Sequence, residues 1–205
     1  MRVLVACEFS GVVRSAFRAR GHDAWSCDLL PAEDGSAFHI QGDALDVVNE
    51  SWDLMIAHPP CTRLSNSGVR WLHSPPRGKT VKEMWVELER AAEFYKAIRS
   101  APVSRKAIEN PVMHKHAKAL ICLGRRQIVQ PWQFGEPAFK ATGFELINLP
   151  DLSPTEILTA PKKGTAEHKA WSAVHREPPG PDRWKNRSRT FRLIAAAMAQ
   201  QWGNA

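Results

Sequence analysis

With 205 residues, 43% of them hydrophobic and 24% charged, the chain is long enough for one domain with a real core plus a small appendage, and its composition is that of an ordinary globular protein rather than a disordered or fibrous one. No apolar run is long enough to span a bilayer, and the N-terminus enters the strand-like Val3-Leu4-Val5-Ala6 without a signal-peptide stretch, so a cytoplasmic protein with no membrane partner is expected. The net charge of +7 and a pI near 9.5 favour a polyanionic partner, nucleic acid before others; simple solubility is the bland alternative. The basic excess is concentrated in residues 162–192. The cysteines Cys7, Cys27, Cys61 and Cys122 form no CxxC pair and suit neither a zinc site nor a disulfide framework, so no metal is expected. Cys7, Cys27 and Cys122 fall in apolar settings and read as buried structural thiols; Cys61, in Pro-Pro-Cys-Thr, needs another explanation.

In chain order, residues 2–7 read as a strand and residues 11–20 as a helix, with Val12, Val13, Ala16 and Phe17 on one stripe. Residues 24–27 form a short strand ending at Asp28, and residues 52–57 another, ending in a proline pair. Residues 66–80, rich in Gly, Pro, Ser and Arg, look like a mobile loop. Residues 82–100 are a strong amphipathic helix carrying Trp85, Leu88, Ala92, Tyr95 and Ile98. A strand over 104–108, a short helix over 115–123, and strands over 127–130 and 144–149 follow. Residues 151–187 show little periodicity, and residues 188–202 are helical, with Phe191, Ile194, Ala195, Met198 and Trp202 on one face. Strands separated by helices predict an α/β fold, a mainly parallel sheet with helices on both faces. Ligands bind such sheets at the carboxyl ends of the strands, and Glu8 with Ser10, Asp28, Cys61 and Glu109 all follow strands.

Glu8-Phe9-Ser10-Gly11 joins a strand to a helix, where backbone amides and a helix N-terminus can face a ligand. Asp28 could accept from ribose hydroxyls, and Asp43 of the Gly42-Asp43 pair could contact an adenine amino group. Taken singly, a turn glycine and a capping aspartate are the plainer readings. In His58-Pro59-Pro60-Cys61-Thr62-Arg63, two prolines stiffen the chain before a strand-end cysteine, and Arg63 and His58 could lower its thiol pKa. A buried structural cysteine is the alternative. In Glu109-Asn110-Pro111 the proline disfavours helix at Asn110 and holds Glu109 at a strand tip, where a protonated carboxyl could donate to a ring nitrogen; an ordinary surface glutamate is the alternative.

The order of these motifs resembles the cytosine-5 DNA methyltransferases, in particular short phage- or prophage-type members. Phe9-Ser10-Gly11 is similar to the family's Phe-x-Gly turn, with Val13 at its second glycine. Asp28, Gly42-Asp43, Pro60-Cys61 and Glu109-Asn110 match successive motifs. The stretch from Phe134-Gly135 to Phe144 fits the family's Tyr-Gly-Val-Pro-Gln-x-Arg-x-Arg-x-Phe motif in register, with Lys140 and Thr142 at the two arginines. Residues 186–191 before the closing helix look like its last cofactor motif. The resemblance implies a Rossmann-like S-adenosylmethionine-dependent methyltransferase fold and a flipped-out cytosine as substrate. It implies Cys61, Glu109 and Lys140 as the catalytic set, and Phe9, Ser10, Gly11, Asp28, Asp43, Pro59 and Ser188 around S-adenosylmethionine.

The family carries a large target recognition region between its last two motifs; here only residues 151–187 are available. The expected organisation is therefore a catalytic and cofactor-binding domain over 1–150, a minimal DNA-recognition segment over 151–187, and a C-terminal helix over 188–205 packing back. Double-stranded DNA would be held by a monomer through Arg63, Arg70, Lys162, Lys163, Lys169 and Arg176, with Trp171 and Trp184 able to stack or wedge. A basic surface loop with two core-packed tryptophans is the alternative. Two other functions stay open: a methyltransferase of RNA or free cytidine nucleotides, favoured by the small reader, and a catalytically silent DNA-binding relative, favoured by Val13, Lys140 and Thr142.

Overall fold

The computed structural model describes residues 1–110 and 112–204. Seven strands form one sheet: β1 (Arg2–Ala6), β2 (Asp23–Asp28), β3 (His39–Gln41), β4 (Leu54–Ala57), β5 (Arg105–Asn110), β6 (Arg126–Val129) and β7 (Thr142–Ile147). Their spatial order is β3-β2-β1-β4-β5-β7-β6, and only β7 runs antiparallel to its neighbours. The helices are α1 (Val12–Ala19), α2 (Ala44–Val47), α3 (Val81–Ser100), α4 (Lys115–Ile121), α5 (Ala166–Trp171), α6 (Ala173–Arg176), α7 (Arg183–Ser188) and α8 (Arg192–Gln201). This is the Rossmann-like α/β fold expected from the sequence, a mainly parallel sheet covered on both faces.

Alternation along β1 explains the two cores. Val3 and Val5 face α1 and α8, in a layer with Phe17, Leu54, Ile56, Phe144, Met198 and Trp202. Leu4 and Ala6 face the opposite layer, with Met55, Leu88, Tyr95 and Ile98. Strands covered on both faces must be apolar throughout, and every residue of β4 is fully buried. A capping box starts α3: Thr80 accepts from the Glu83 amide while the Glu83 carboxylate accepts from the Thr80 amide. Strand order reverses between β1 and β4, so the crevice of such a sheet opens between the segments that follow them, Cys7 to Gly11 and His58 to Cys61.

Four expectations are corrected. Residues 66–80 are not an open loop: Asn66–Leu72 is a 3-10 helix whose Leu72 is buried, and a Cβ on Gly68 would lie 2.1 Å from the Thr62 carbonyl oxygen. Residues 151–187 contain three short helices, too brief for periodicity to register. The closing helix begins at Arg192 rather than 188, because Ser188 ends α7 and Phe191 is extended (φ −72°, ψ 138°). Cys122 is exposed rather than buried, since it caps α4 in the left-handed conformation (φ 52°). Among the described residues no helix is long and apolar enough to cross a membrane, and no group of three or more His, Cys, Asp or Glu could hold a metal ion.

Candidate active site at the carboxyl edge of the sheet

The turn after β1 is built around a buried carboxylate. Glu8 accepts hydrogen bonds from the amides of Val13 (2.7 Å) and Arg14 (3.1 Å) and from the Ser10 hydroxyl (3.3 Å). The amides at the start of α1 are therefore satisfied from within, and the expectation that they face a ligand is corrected. Gly11 is required here twice over. Its φ is +69°, and a Cβ would lie 2.2 Å from the Arg14 guanidinium, which is itself buried and donates to Ser26 (2.8 Å) and Asp34.

Beside this turn, Asp28 is the last residue of β2 and Asp43 ends the short connection after β3. One oxygen of Asp28 accepts from the Leu30 amide (3.0 Å), and one oxygen of Asp43 from the Leu45 amide (2.9 Å), capping α2. The second oxygen of each has no partner among the described residues. Burial pushes the Cys7 thiol far up, and Asp28, Cys27 and Asp43 add to the rise, so both acids lie near enough to act on this thiol. This donor set fits a nucleoside with hydroxyl and amino groups to offer and a cationic centre to neutralise. It does not fit an anionic tail at the α1 terminus, which Glu8 occupies.

The reactive groups gather on the other side of the switch point. Pro59 is buried and sets the direction of the chain into half-buried Cys61. Cys61 after β4, Glu109 at the end of β5 and Lys140 before β7 lie near enough to act on one another. Burial pushes the Cys61 thiol up to about 11; Glu109 adds to the rise, while Lys140 and Arg187 oppose it. Burial likewise lowers the Lys140 ammonium, against the pull of Glu109 and Cys61. His58 Nδ1 lies 3.6 Å from Glu109. The cations near the thiol are thus Lys140 and Arg187. Arg63, expected there, instead donates to Glu87 (2.7 Å), which also removes it from the residues free to meet DNA. Arg187 was missed in this role because nothing in its spacing links residue 187 to residue 61.

A segment of the chain closes this site. In α7, the Trp184 ring lies 5.7 Å from Phe9, and Lys185 sits 5.7 Å over the same ring. Lys185 and Arg189 both pair with Glu33, at 2.7 and 2.6 Å. Lys140 Nζ donates to the carbonyls of Ser188 (3.4 Å) and Arg189 (3.0 Å). Ser188, expected beside the cofactor with Asp28 and Asp43, therefore stands next to Lys140. The enclosed cavity left between Glu109, Lys140, Thr142, Phe144, Thr190, Phe191 and Ile194 measures about 10 Å³, room for one water and not for a base.

Of the residues expected on DNA, Lys162, Lys163, Lys169 and Arg176 are exposed, and Arg70 is exposed and stacked on Trp71 (4.2 Å). Trp171 is corrected: it is buried against Phe139 (5.3 Å), and its carbonyl accepts from the Phe139 amide, so it cannot stack on a base.

No family model matches the chain, and no curated protein matches it. Among solved structures, the chain is similar to a protein described as a DNA modification methyltransferase encoded within an E. coli prophage, at 17% identity over 77% of this chain and 52% of that one, with a TM-score of 0.48. It is similar to the Entamoeba histolytica methyltransferase EhMeth at 13% identity over 80% of this chain and 57% of that one (TM-score 0.43). It is also similar to a Spodoptera frugiperda DNMT2 variant at 14% identity over 79% of this chain and 55% of that one (TM-score 0.38). The chain thus spans little more than half the length of each.

Proposed function

We propose that this chain is an S-adenosylmethionine-dependent methyltransferase acting on carbon 5 of a flipped-out cytosine in DNA, with Cys61 as covalent nucleophile. The observation that carries the reading is the convergence of Cys61, Glu109 and Lys140 at one end of a doubly wound sheet, across the switch point from Asp28 and Asp43. Asp28 and Asp43 would hold the nucleoside of the cofactor through their unpartnered oxygens, beside Phe9, Ser10, Gly11 and Pro59. When bound, S-adenosylmethionine supplies the methyl group as an electrophile.

Carbon 5 of cytosine is a poor nucleophile, and the chain's residues change that. The Cys61 thiol passes its proton to Glu109, and the thiolate, steadied by Lys140 and Arg187, adds to carbon 6. Glu109 delivers that proton to ring nitrogen 3, leaving carbon 5 electron-rich. After methylation, carbon 5 releases its proton to solvent as the Cys61 thiolate is expelled and the aromatic ring is restored; nitrogen 3 returns its own proton to Glu109, which passes it back to the Cys61 thiolate. The target atom is out of reach inside a duplex, so the base must leave the stack. The basic, exposed Lys162, Lys163, Lys169 and Arg176 favour DNA, held mainly through its phosphates.

The test is covalent trapping on duplex DNA with 5-fluorocytosine, whose fluorine cannot leave as a proton does. The wild-type chain should form a denaturant-resistant adduct only with S-adenosylmethionine present; Cys61→Ser should form none, and Glu109→Gln should form it far more slowly. An adduct on RNA alone would move the substrate to RNA, and DNA binding without any adduct would make the chain a silent binder.

A further inference from the structure

The cations at the C-terminal end of α7 and just beyond it divide into two sets. Lys185 and Arg189, four residues apart, are both committed to Glu33. Arg187 lies two residues from each, and two helical steps rotate a side chain by about 200°, so Arg187 is directed away from Glu33. The bonds from Lys140 Nζ to the carbonyls of Ser188 and Arg189 press this end of α7 onto the catalytic lysine. Arg187 is close enough to act on both Cys61 and Lys140. It is half-buried, and no carboxylate, carbonyl or ring pairs with it among the described residues. A half-buried guanidinium with no protein partner is open to an anion, which would complete it through charged hydrogen bonds. The site is otherwise short of negative charge: Glu109 is the carboxylate acting on Cys61 and Lys140, set against the two cations Lys140 and Arg187, and the Cys61 thiol, pushed up to about 11, is neutral at physiological pH.

We propose that Arg187 is a substrate-binding residue that takes a phosphate flanking the target cytosine and so seats the base against Cys61. The planar fork of arginine suits a phosphodiester, holding two of its oxygens at once, which a lysine cannot do. The phosphate then neutralises the surplus cation and bridges α7 to the catalytic groups. This role rests on the proposed function, since it presumes a nucleotide substrate.

The experiment compares a 5-fluorocytosine duplex with the same duplex carrying neutral methylphosphonates on both sides of the target. Binding is read by fluorescence anisotropy and trapping by adduct formation, for the wild-type chain, Arg187→Gln and Arg187→Lys. Neutralising the phosphates should weaken wild-type binding roughly tenfold to a hundredfold, the range for hydrogen bonds to a charged group. Arg187→Gln should lose a similar factor on the ordinary duplex and almost nothing more on the neutral one; Arg187→Lys should fall between. If Arg187→Gln discriminates between the duplexes as strongly as wild type, Arg187 does not hold a phosphate, although wild-type adduct formation would leave the methyltransferase reading standing. If Arg187→Gln loses trapping with no change in phosphate discrimination, its partner is the base and the phosphate assignment is wrong. A wild-type chain that binds DNA without any adduct sinks the methyltransferase reading but not a phosphate contact at Arg187, and one that binds neither duplex overturns both.

Discussion

The ring of Trp184 rests 5.7 Å from that of Phe9, so the end of the basic segment covers the first motif of the chain. Glu33 fastens this cover through Lys185 and Arg189. The bond to Lys185, chiefly, holds the Glu33 carboxyl below the ordinary glutamate value of 4.5, so the fastening persists at neutral pH and is lost only as pH falls beneath that value. Partly exposed pairs contribute little to global stability but can hold a short helix in place. Glu33→Gln should therefore leave the melting temperature almost unchanged while trypsin cuts at Lys185, Arg187 and Arg189 several-fold faster. Equal cleavage rates in variant and wild type would mean that α7 is held by something else.

The thiol of Cys61 titrates near 11, so it is largely protonated at neutral pH. Because the thiolate reacts, alkylation by iodoacetamide should accelerate roughly tenfold per pH unit from 7 to about 10 and level off near 11. The measurement needs a Cys122→Ser background, since Cys122 is exposed. Lys140→Met removes a cation that lowers the thiol, so the whole profile should shift to higher pH. A variant profile that coincides with the parent's would place Lys140 outside the field of Cys61.

Glu8 is a stabilising residue by this structure and not a ligand contact. Glu8→Ala would strand the buried amides of Val13 and Arg14 and should cost about 2–4 kcal/mol in urea unfolding. Glu8→Gln should cost less, because its amide oxygen still accepts. A loss under about 0.5 kcal/mol, the scatter of ordinary surface substitutions, would deny the cap its role.

Lys162, Lys163 and Lys169 are exposed and lie outside every ion pair found among the described residues. Replacing all three by alanine should weaken DNA binding across sequences and flatten the log–log salt dependence by up to about 2.7 units. Trp171→Ala should behave differently, as a core truncation costing about 3–5 kcal/mol of stability. An unchanged salt slope in the triple variant would move the phosphate contacts elsewhere, to the Arg70 surface first.

The sheet was legible because its central strands are apolar runs bounded by turn residues, and because chemistry-bearing side chains follow them. Strand β3 and helix α2 were not: three and four residues are too few for any period to show. Cys61, Glu109 and Lys140 could be paired from motif order alone. The partners of Arg63 and Glu8 could not, since a salt bridge to Glu87 and a cap on α1 depend on side-chain directions that no spacing encodes. Trp171 and Trp184 look alike in sequence, yet one is buried on Phe139 and the other is 55% exposed over Phe9.

Helix α7 touches both halves of the site at once, with Trp184 against Phe9 and its far end bonded to Lys140. Traffic through the two halves is then coupled mechanically. Lifting the segment to admit or release a molecule at Phe9 would also withdraw the groups that crowd Cys61. Under the proposed function, such an arrangement would impose an order of events: the donor enters first, the polynucleotide follows, and the spent donor leaves only after the base has gone. The slow step of each cycle would then be the departure of products rather than the bond-making, so a first turnover should run ahead of those that follow it.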